Sequence, residues 1–133
     1  MPILSVLISG EPSAERSAAI AAALTGLTVD ILRKDARLTS VAIQYVDPEN
    51  WAIGGSALAA QRKTSFFLDV RVTERTNSAD EKVRYIAAVF GRMRVLLGEL
   101  HEASYVHVHE VPAGAWGYGG VTQADRRLAV AAA

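Results

Sequence analysis

Few side chains in this sequence are of types that commonly carry out chemistry. The 133 residues include no Cys and three His, so thiolate nucleophiles and cysteine-ligated metal sites are excluded. His107 and His109 alternate along one predicted strand, whereas His101 stands apart from them. Because two His are too few for a zinc site, we expect neither a metal nor any other cofactor.

Pro2, directly after Met1, carries a nitrogen whose chemistry depends on its place in the chain. Inside a chain this nitrogen belongs to a tertiary amide and has no basicity. At a chain terminus it is a secondary amine, comparable to the α-amino groups that titrate at about 7.7–8.0. A proline in the second position is common, and by itself it indicates only that Met1 can be removed.

The composition indicates a single domain, residues 1–133, with enough apolar residues for a core. Half of the residues are hydrophobic, and 14 basic residues balance 14 acidic ones. This neutral balance argues against nucleic acids and membrane surfaces as partners. No apolar run reaches the roughly 20 residues of a membrane span, and the N-terminal residues lack the pattern of a signal peptide. We therefore expect a cytoplasmic protein.

Two ten-residue segments are nearly the same, VDPENWAIGG at 46–55 and VPAGAWGYGG at 111–120. The same offset holds along the chain without a gap, and it aligns Ser13 with Ser78 and Pro2 with Phe67. Self-similarity at one fixed offset indicates a duplicated structural unit. We assign the two units to residues 2–63 and 66–128.

Each unit is predicted to read strand, helix, strand. The four strands are short apolar or alternating runs, at 3–9, 40–46, 66–73 and 104–111. Each helix carries an apolar stripe at helical spacing. The residues of these stripes are Ile20, Leu24, Leu27 and Ile31 in the first helix and Ile86, Phe90, Met93 and Leu97 in the second.

Polar residues mark where the helices begin. Ser13 is a predicted N-cap of the first helix, and Ser78 with Glu81 has the spacing of a capping box. Gly pairs after Trp51 and Trp116 allow a tight hairpin in each unit.

A strand–helix–strand unit forms a right-handed crossover between parallel strands. Two such units related by a pseudo-two-fold axis predict an α+β fold, tandem βαβ units that form a four-stranded sheet with two helices on one face. The other face has to be buried, and self-association is the obvious way to do so.

In these features the chain resembles the tautomerase superfamily, typified by 4-oxalocrotonate tautomerase. The resemblance covers nearly the whole chain and rests on Pro2, on the repeated strand–helix–strand unit and on the Trp-x-x-Gly-Gly hairpin seen twice. Short members are single units that form hexamers, and fused members are two units that form trimers. The resemblance implies a fused member and a homotrimer.

The resemblance further implies that Pro2, once Met1 is removed, is the catalytic base. An apolar pocket and a nearby cation would both lower the pKa of its amine, so that a neutral base exists near neutral pH. Because Phe67, the counterpart of Pro2, is internal, we expect one site per chain. If Met1 is retained, Pro2 is an amide and the chain is inactive.

Arginines hold the small carboxylate substrates of this superfamily, since the planar guanidinium binds a carboxylate through two hydrogen bonds. The loop before the second helix contains Arg75, and Asn77 stands where short tautomerases have an Arg. The pattern is similar to that of malonate semialdehyde decarboxylase. Arg71 lies four residues before Arg75 and either faces the site or pairs with Asp69 or Glu74; we favour the ion pair.

His107 stands near a Tyr position of cis-3-chloroacrylic acid dehalogenase, so it either binds substrate or is a strand His paired with His109 or Glu110. Trp51 and Trp116 match an aromatic position that lines the pocket in the superfamily. Since there is one site per chain and Trp is common at interfaces, at least one of them is structural.

Three functions are compatible with these residues. The first is an isomerase that interconverts the enol and keto forms of a small 2-oxo or unsaturated carboxylic acid. The second is a decarboxylase or hydratase of a three-carbon acid with a protonated proline, although the dehalogenase's helix His and late Glu are replaced by Leu27 or Thr28 and by Tyr118. The third is a catalytically inactive oligomeric binding protein.

Overall fold

The computed structural model describes residues 1–132, and its centre is a four-stranded sheet with the strand order β2-β1-β5-β6. β1 and β2 are parallel, β5 and β6 are parallel, and the central strands β1 and β5 are antiparallel. The strands are β1 (Ile3–Ser9), β2 (Ser40–Val46), β3 (Ala52–Ile53), β4 (Ser56–Ala57), β5 (Phe66–Thr73), β6 (Tyr105–Val111), β7 (Gly117–Tyr118) and β8 (Val121–Thr122). The helices are α1 (Ala14–Leu32), α2 (Leu58–Gln61), α3 (Ala79–Leu97) and α4 (Gln123–Ala132). The predicted α+β fold of tandem βαβ units is confirmed.

The two long helices begin where the sequence predicts. The Ser13 hydroxyl accepts the backbone N–H of Arg16 at 3.1 Å. Ser78 and Glu81 form the capping box, in which the Ser78 hydroxyl accepts the Glu81 N–H and the Glu81 carboxylate accepts the Ser78 N–H. Both caps satisfy backbone donors that the first turn of a helix leaves free.

The core lies between the sheet and the two long helices, which cover the same face. Alternate strand residues point into it, and the residues of α1 and α3 that contact the sheet recur every four positions. The buried helix residues include Ile20, Leu24, Thr28 and Leu32 in α1 and Tyr85, Val89, Met93 and Leu97 in α3.

The predicted stripe of α3 is wrong in its first half. Ile86 is 41% exposed, and Tyr85, which the sequence did not place in the core, is fully buried. Tyr85 fits there because its hydroxyl is paired with the Thr28 hydroxyl at 2.9 Å, and burial raises the pKa of Tyr85 to about 12. A paired hydroxyl makes a tyrosine an acceptable core residue, and this shifts the buried stripe by one position.

Neither α1 nor α3 packs on the opposite face of the sheet, which we call the open face. It is formed by alternate residues of the strands, and three of its apolar side chains are exposed, Ile3 (45%), Phe67 (38%) and Tyr105 (66%). In the part of the chain that the structure describes, no helix is long and apolar enough to span a membrane.

The tight hairpins that the glycine pairs predict are present. β3 pairs with β4 and β7 pairs with β8, and Gly54, Gly55, Gly119 and Gly120 all have positive φ. Other residues rarely adopt this backbone conformation, so the repeated Gly-Gly is a requirement of the turn.

The observed buried face of α3 predicts that two similar truncations on this helix lower the stability by different amounts. Met93→Ala removes a side chain that is fully buried and should lower the free energy of unfolding by about 2–5 kcal/mol. Ile86→Ala on the same helix should cost less than about 1 kcal/mol. Urea unfolding of both variants at one protein concentration measures the difference, and equal losses would contradict the observed packing.

Candidate functional site

A cleft of about 490 Å³ lies at the end of the sheet where β1 begins. Pro2 is buried in its wall, and its carbonyl oxygen accepts the backbone N–H of Ser40 at 3.2 Å. The first residues of β1 are therefore fixed in position by the neighbouring strand. The cleft is lined by residues 1–3, by residues 37–40 and by Trp116, Gly117 and Tyr118.

The sheet topology explains why these three segments meet. β2 is parallel to β1, so the segment that leads into β2 lies beside the start of β1. β5 is antiparallel to β1, so the end of β5 lies there too, and the end of β6 lies beside the end of β5. The hairpin that follows β6 therefore reaches the start of β1, whereas the hairpin that follows β2 lies at the other end of the sheet.

The surroundings of the N-terminus disfavour a positive charge. Burial lowers the pKa of the Met1 α-amino group from its ordinary value of 8.0, and the charge of Lys34 lowers it further, while Asp35 opposes the shift. Lys34 is itself half-buried and donates a hydrogen bond to the Thr76 hydroxyl at 2.9 Å. This bond holds the cation near the chain terminus.

The largest polar side chains in the lining of the cleft, apart from Trp116, are Arg37 and Tyr118. Arg37 is largely exposed, and its guanidinium contacts the Asp35 carboxylate at 3.2 Å. Tyr118 packs against Arg126, whose guanidinium carbon lies 3.7 Å from the centre of the ring and whose Nη2 donates to the Tyr118 carbonyl at 2.8 Å. The Arg126 contacts fix the position of Tyr118 on one wall of the cleft.

The two tryptophans of the repeat have different surroundings. Trp116 lines the cleft beside Pro2, and its indole N–H donates to the Thr73 hydroxyl at 3.1 Å. Trp51 follows β2 at the opposite end of the sheet, where its carbonyl accepts the Leu58 N–H. Of the two, the geometry associates Trp116 with Pro2.

The loop before α3 lies next to this end of the sheet, but its predicted binding residues lie outside the lining of the cleft. Asn77 donates to the Leu32 carbonyl at 2.9 Å and so satisfies an acceptor at the C-terminus of α1. Arg75 is exposed and adopts a left-handed backbone conformation with φ 64°. The hydrogen bond from the Lys82 side chain is the main reason that the pKa of Glu110 is lowered, and the backbone N–H of Arg75 adds to this effect.

Arg71 and His107 lie on the open face and outside the lining of the cleft. The Arg71 Nε atom is 3.4 Å from one oxygen of Asp69, and the His107 Nδ1 atom is 3.1 Å from the other. Arg71 thus forms the ion pair with Asp69 that we favoured. His107 contacts Asp69 through its Nδ1 atom, and its ring stacks on the ring of His109.

Sequence reasoning missed Lys34, whose charge acts on the chain terminus, and Arg37 and Tyr118 in the lining of the cleft. A signal for the first two was available, because parallel pairing of β1 and β2 already brings the segment before β2 to Pro2. The same reasoning selects the second hairpin, and hence Trp116, once β1 and β5 are taken as antiparallel.

The fold and the cleft define a class of protein, a duplicated βαβ sheet whose cleft surrounds the first residues of the chain. Residues 2–61 match the family described as Tautomerase enzyme. The chain is 34% identical over 64 residues to Probable tautomerase K2 of Dickeya dadantii, a match that spans 47% of this chain and 96% of that protein. The chain belongs to the tautomerase family.

Solved structures share the whole fold. An asymmetric trimer of the wild-type F6 fused 4-OT has a TM-score of 0.81 at 19% identity, with 93% of this chain and 98% of that chain covered. FG41 malonate semialdehyde decarboxylase, inhibited by 3-bromopropiolate, has a TM-score of 0.74 at 18% identity, with 95% of this chain and 96% of that chain covered. At these identities the similarity establishes the fold.

The charge of Lys34 near the chain terminus predicts that removing this charge raises the pKa of the terminal amine. Lys34→Met keeps most of the apolar stem but removes the charge, so the ammonium form is less disfavoured and the pKa of the terminal amine should rise. An NMR titration of the N-terminal residue measures this shift. Lys63→Met, at an exposed position at the end of the first unit, is the control and should leave that pKa unchanged. An unchanged pKa in Lys34→Met would show that the charge has no influence on the amine.

Proposed function

We propose that the chain is a tautomerase in which the Pro2 amine, freed by removal of Met1, acts as the general base. The observation that supports this most directly is the electrostatics at the chain terminus. Burial, aided by Lys34, lowers the pKa of an amine at this place, and the freed Pro2 nitrogen would lie one residue further along the same wall of the cleft. A neutral secondary amine would then be available near neutral pH.

The proposed reaction is the interconversion of the enol and keto forms of a small 2-oxo or unsaturated carboxylic acid. The Pro2 nitrogen takes the proton from the enol hydroxyl, or from the α-carbon in the reverse direction. It returns the proton to the α-carbon of the enolate in the first direction and to the enolate oxygen in the reverse direction, so the amine ends the cycle neutral and no other reactant is consumed.

Arg37 is our proposed partner for the substrate carboxylate. It lines the cleft, and its guanidinium offers the paired donors that a carboxylate accepts. The contact with Asp35 is exposed and is worth little, so a substrate can compete for the guanidinium. Arg75, Arg71, Asn77 and His107, the binding residues expected from the sequence, lie outside the cleft lining of the single chain.

Lys34 and Trp116 complete the proposed site. The positive charge of Lys34 would stabilise the enolate as it forms, because a fixed charge costs no reorganisation during the reaction. Trp116 forms an apolar wall beside Pro2 and is oriented by its hydrogen bond to Thr73. Trp51, at the other end of the sheet, is assigned a structural role.

A homotrimer is the assembly that we propose. The open face carries exposed apolar side chains that a single chain leaves in contact with water, and burial of such surface drives self-association. The F6 fused 4-OT, which has the same fold, is a trimer.

The decarboxylase or hydratase reading is the second candidate, and the similarity in fold to malonate semialdehyde decarboxylase is compatible with it. That reading needs a protonated proline. Because burial and Lys34 both disfavour the ammonium form, the electrostatics favour the general base. The inactive binding protein is the third candidate, and retention of Met1 in the natural protein would favour it over both enzymes.

Pro2→Ala tests the general base. It should lower kcat/KM for the ketonisation of simple enols by about 10²–10⁴-fold, the usual contribution of a general base. Absorbance of the enol follows the reaction. Pro12→Ala, in an exposed loop at the far end of the sheet, is the matched control. Full activity of the Pro2 variant would reject the proposal, as would an intact mass of the natural protein that still includes Met1.

The dependence of activity on pH separates the two enzymatic readings. If the neutral amine is the active form, kcat/KM should fall as the pH is lowered through a pKa below 8.0 and stay high above it. If the ammonium is the active form, kcat/KM should instead fall as the pH is raised through that pKa. Assays with 2-hydroxymuconate and with a 3-oxo acid over the same pH range measure both limbs, and loss of enol activity towards high pH would contradict the general base.

A further inference from the structure

A second cluster of chemically active side chains lies on the open face, outside the lining of the cleft. His107 and His109 are two residues apart on β6, so their side chains point to the same face of the sheet. Asp69 is the residue of β5 that is in register with His107. The three side chains therefore converge from two adjacent strands.

The distances within this cluster are short. One Asp69 oxygen lies 3.1 Å from the His107 Nδ1 atom, and the two imidazole rings are stacked with centres 5.4 Å apart. One potential ligand atom from each of the three residues lies within 4.8 Å of those of the other two. Ligand atoms on one zinc ion are about 3.3 Å apart, given bond lengths of about 2.0–2.1 Å. His107 and His109 are exposed, so small side-chain rotations suffice to close the remaining gap.

The carboxylate of Asp69 is a second observation that points to a ligand. Its Oδ1 atom is buried and makes no hydrogen bond to the described residues, although the His107 Nδ1 atom lies 3.1 Å away. Buried polar atoms are nearly always hydrogen-bonded, and an ion shared with the two imidazoles would satisfy this oxygen. The other oxygen of Asp69 contacts the Arg71 guanidinium, which orients the carboxylate as outer residues do in metal sites.

We infer that Asp69, His107 and His109 bind a divalent transition-metal ion of the zinc type. Two imidazoles and one carboxylate are a ligand set that such ions prefer, and a fourth position remains for water or for a group from another molecule. The expectation from the sequence that no metal binds rested on counting His alone. It overlooked Asp69, which lies on another strand and which only the β5–β6 register brings to the pair.

The three ligand residues belong to one chain, and their binding of metal does not depend on the chemistry of Pro2. Because they lie on the open face, a trimer that covers this face would also enclose the ion. Bound metal would then stabilise the folded chain by mass action.

Binding of Zn²⁺ and Co²⁺ to the full chain, without an affinity tag and after treatment with EDTA, tests the inference. Calorimetry should give one Zn²⁺ per chain, and Co²⁺ should develop visible absorption bands on binding. His107→Gln, His109→Gln and Asp69→Asn should each weaken binding at least tenfold. His101→Gln is the matched control, since it removes the third His of the chain and lies outside the cluster; it should bind as the unaltered chain does.

Circular dichroism and size-exclusion chromatography of the metal-free variants show whether each has kept its fold and assembly. The inference is overturned if the unaltered chain binds neither ion, or if correctly folded His109→Gln binds as tightly as the unaltered chain. Pro2→Ala should bind Zn²⁺ unchanged, so that loss of tautomerase activity and loss of metal binding are separate results.

Discussion

The antiparallel pairing of β1 with β5 is the constraint on which the rest of the structure depends. It joins the two βαβ units into one sheet through the strands that begin them, with Ile3 opposite Arg71 and Ile8 opposite Phe66. Because the two strands run in opposite directions, the end of each unit lies beside the start of the other. The cleft at Pro2 therefore combines the segment before β2 from its own unit with the second hairpin from the other unit.

The electrostatics of the cleft follow from the same arrangement. Lys34 leaves α1 and reaches across to Thr76 in the loop before α3, so a contact between the two units holds a cation near the chain terminus. A charge in a half-buried position affects its neighbours more strongly than one in water. Burial and the nearby cation both lower the pKa of a terminal amine, and together they favour its neutral form.

The sequence predicts the fold well, because the repeat, the helix caps and the alternating strands each indicate the same elements. The buried face of α3 was misplaced by one position at Ile86, because the Thr28 hydroxyl that allows Tyr85 to be buried there lies on the other long helix. At the cleft, Pro2 was singled out from its position in the chain, whereas both Trp51 and Trp116 were candidates and only the sheet topology selects Trp116. Lys34, Arg37 and Asp69 were missed as site or cluster residues because pairing and register between strands, which local patterns do not encode, bring them to their neighbours.

The opposite end of the sheet has the same architecture without a free chain end. There the chain enters β5 through Ser65, whose N–H is bonded to the Ser9 hydroxyl and whose carbonyl accepts the Ser9 N–H. Phe67 occupies the place that corresponds to Pro2, and Trp51 the place that corresponds to Trp116. Under the proposed function only the end of the sheet with a free proline carries out chemistry, and the residues around Trp51 then serve folding and assembly. Over evolutionary time the two ends of one symmetric sheet are free to diverge at different rates.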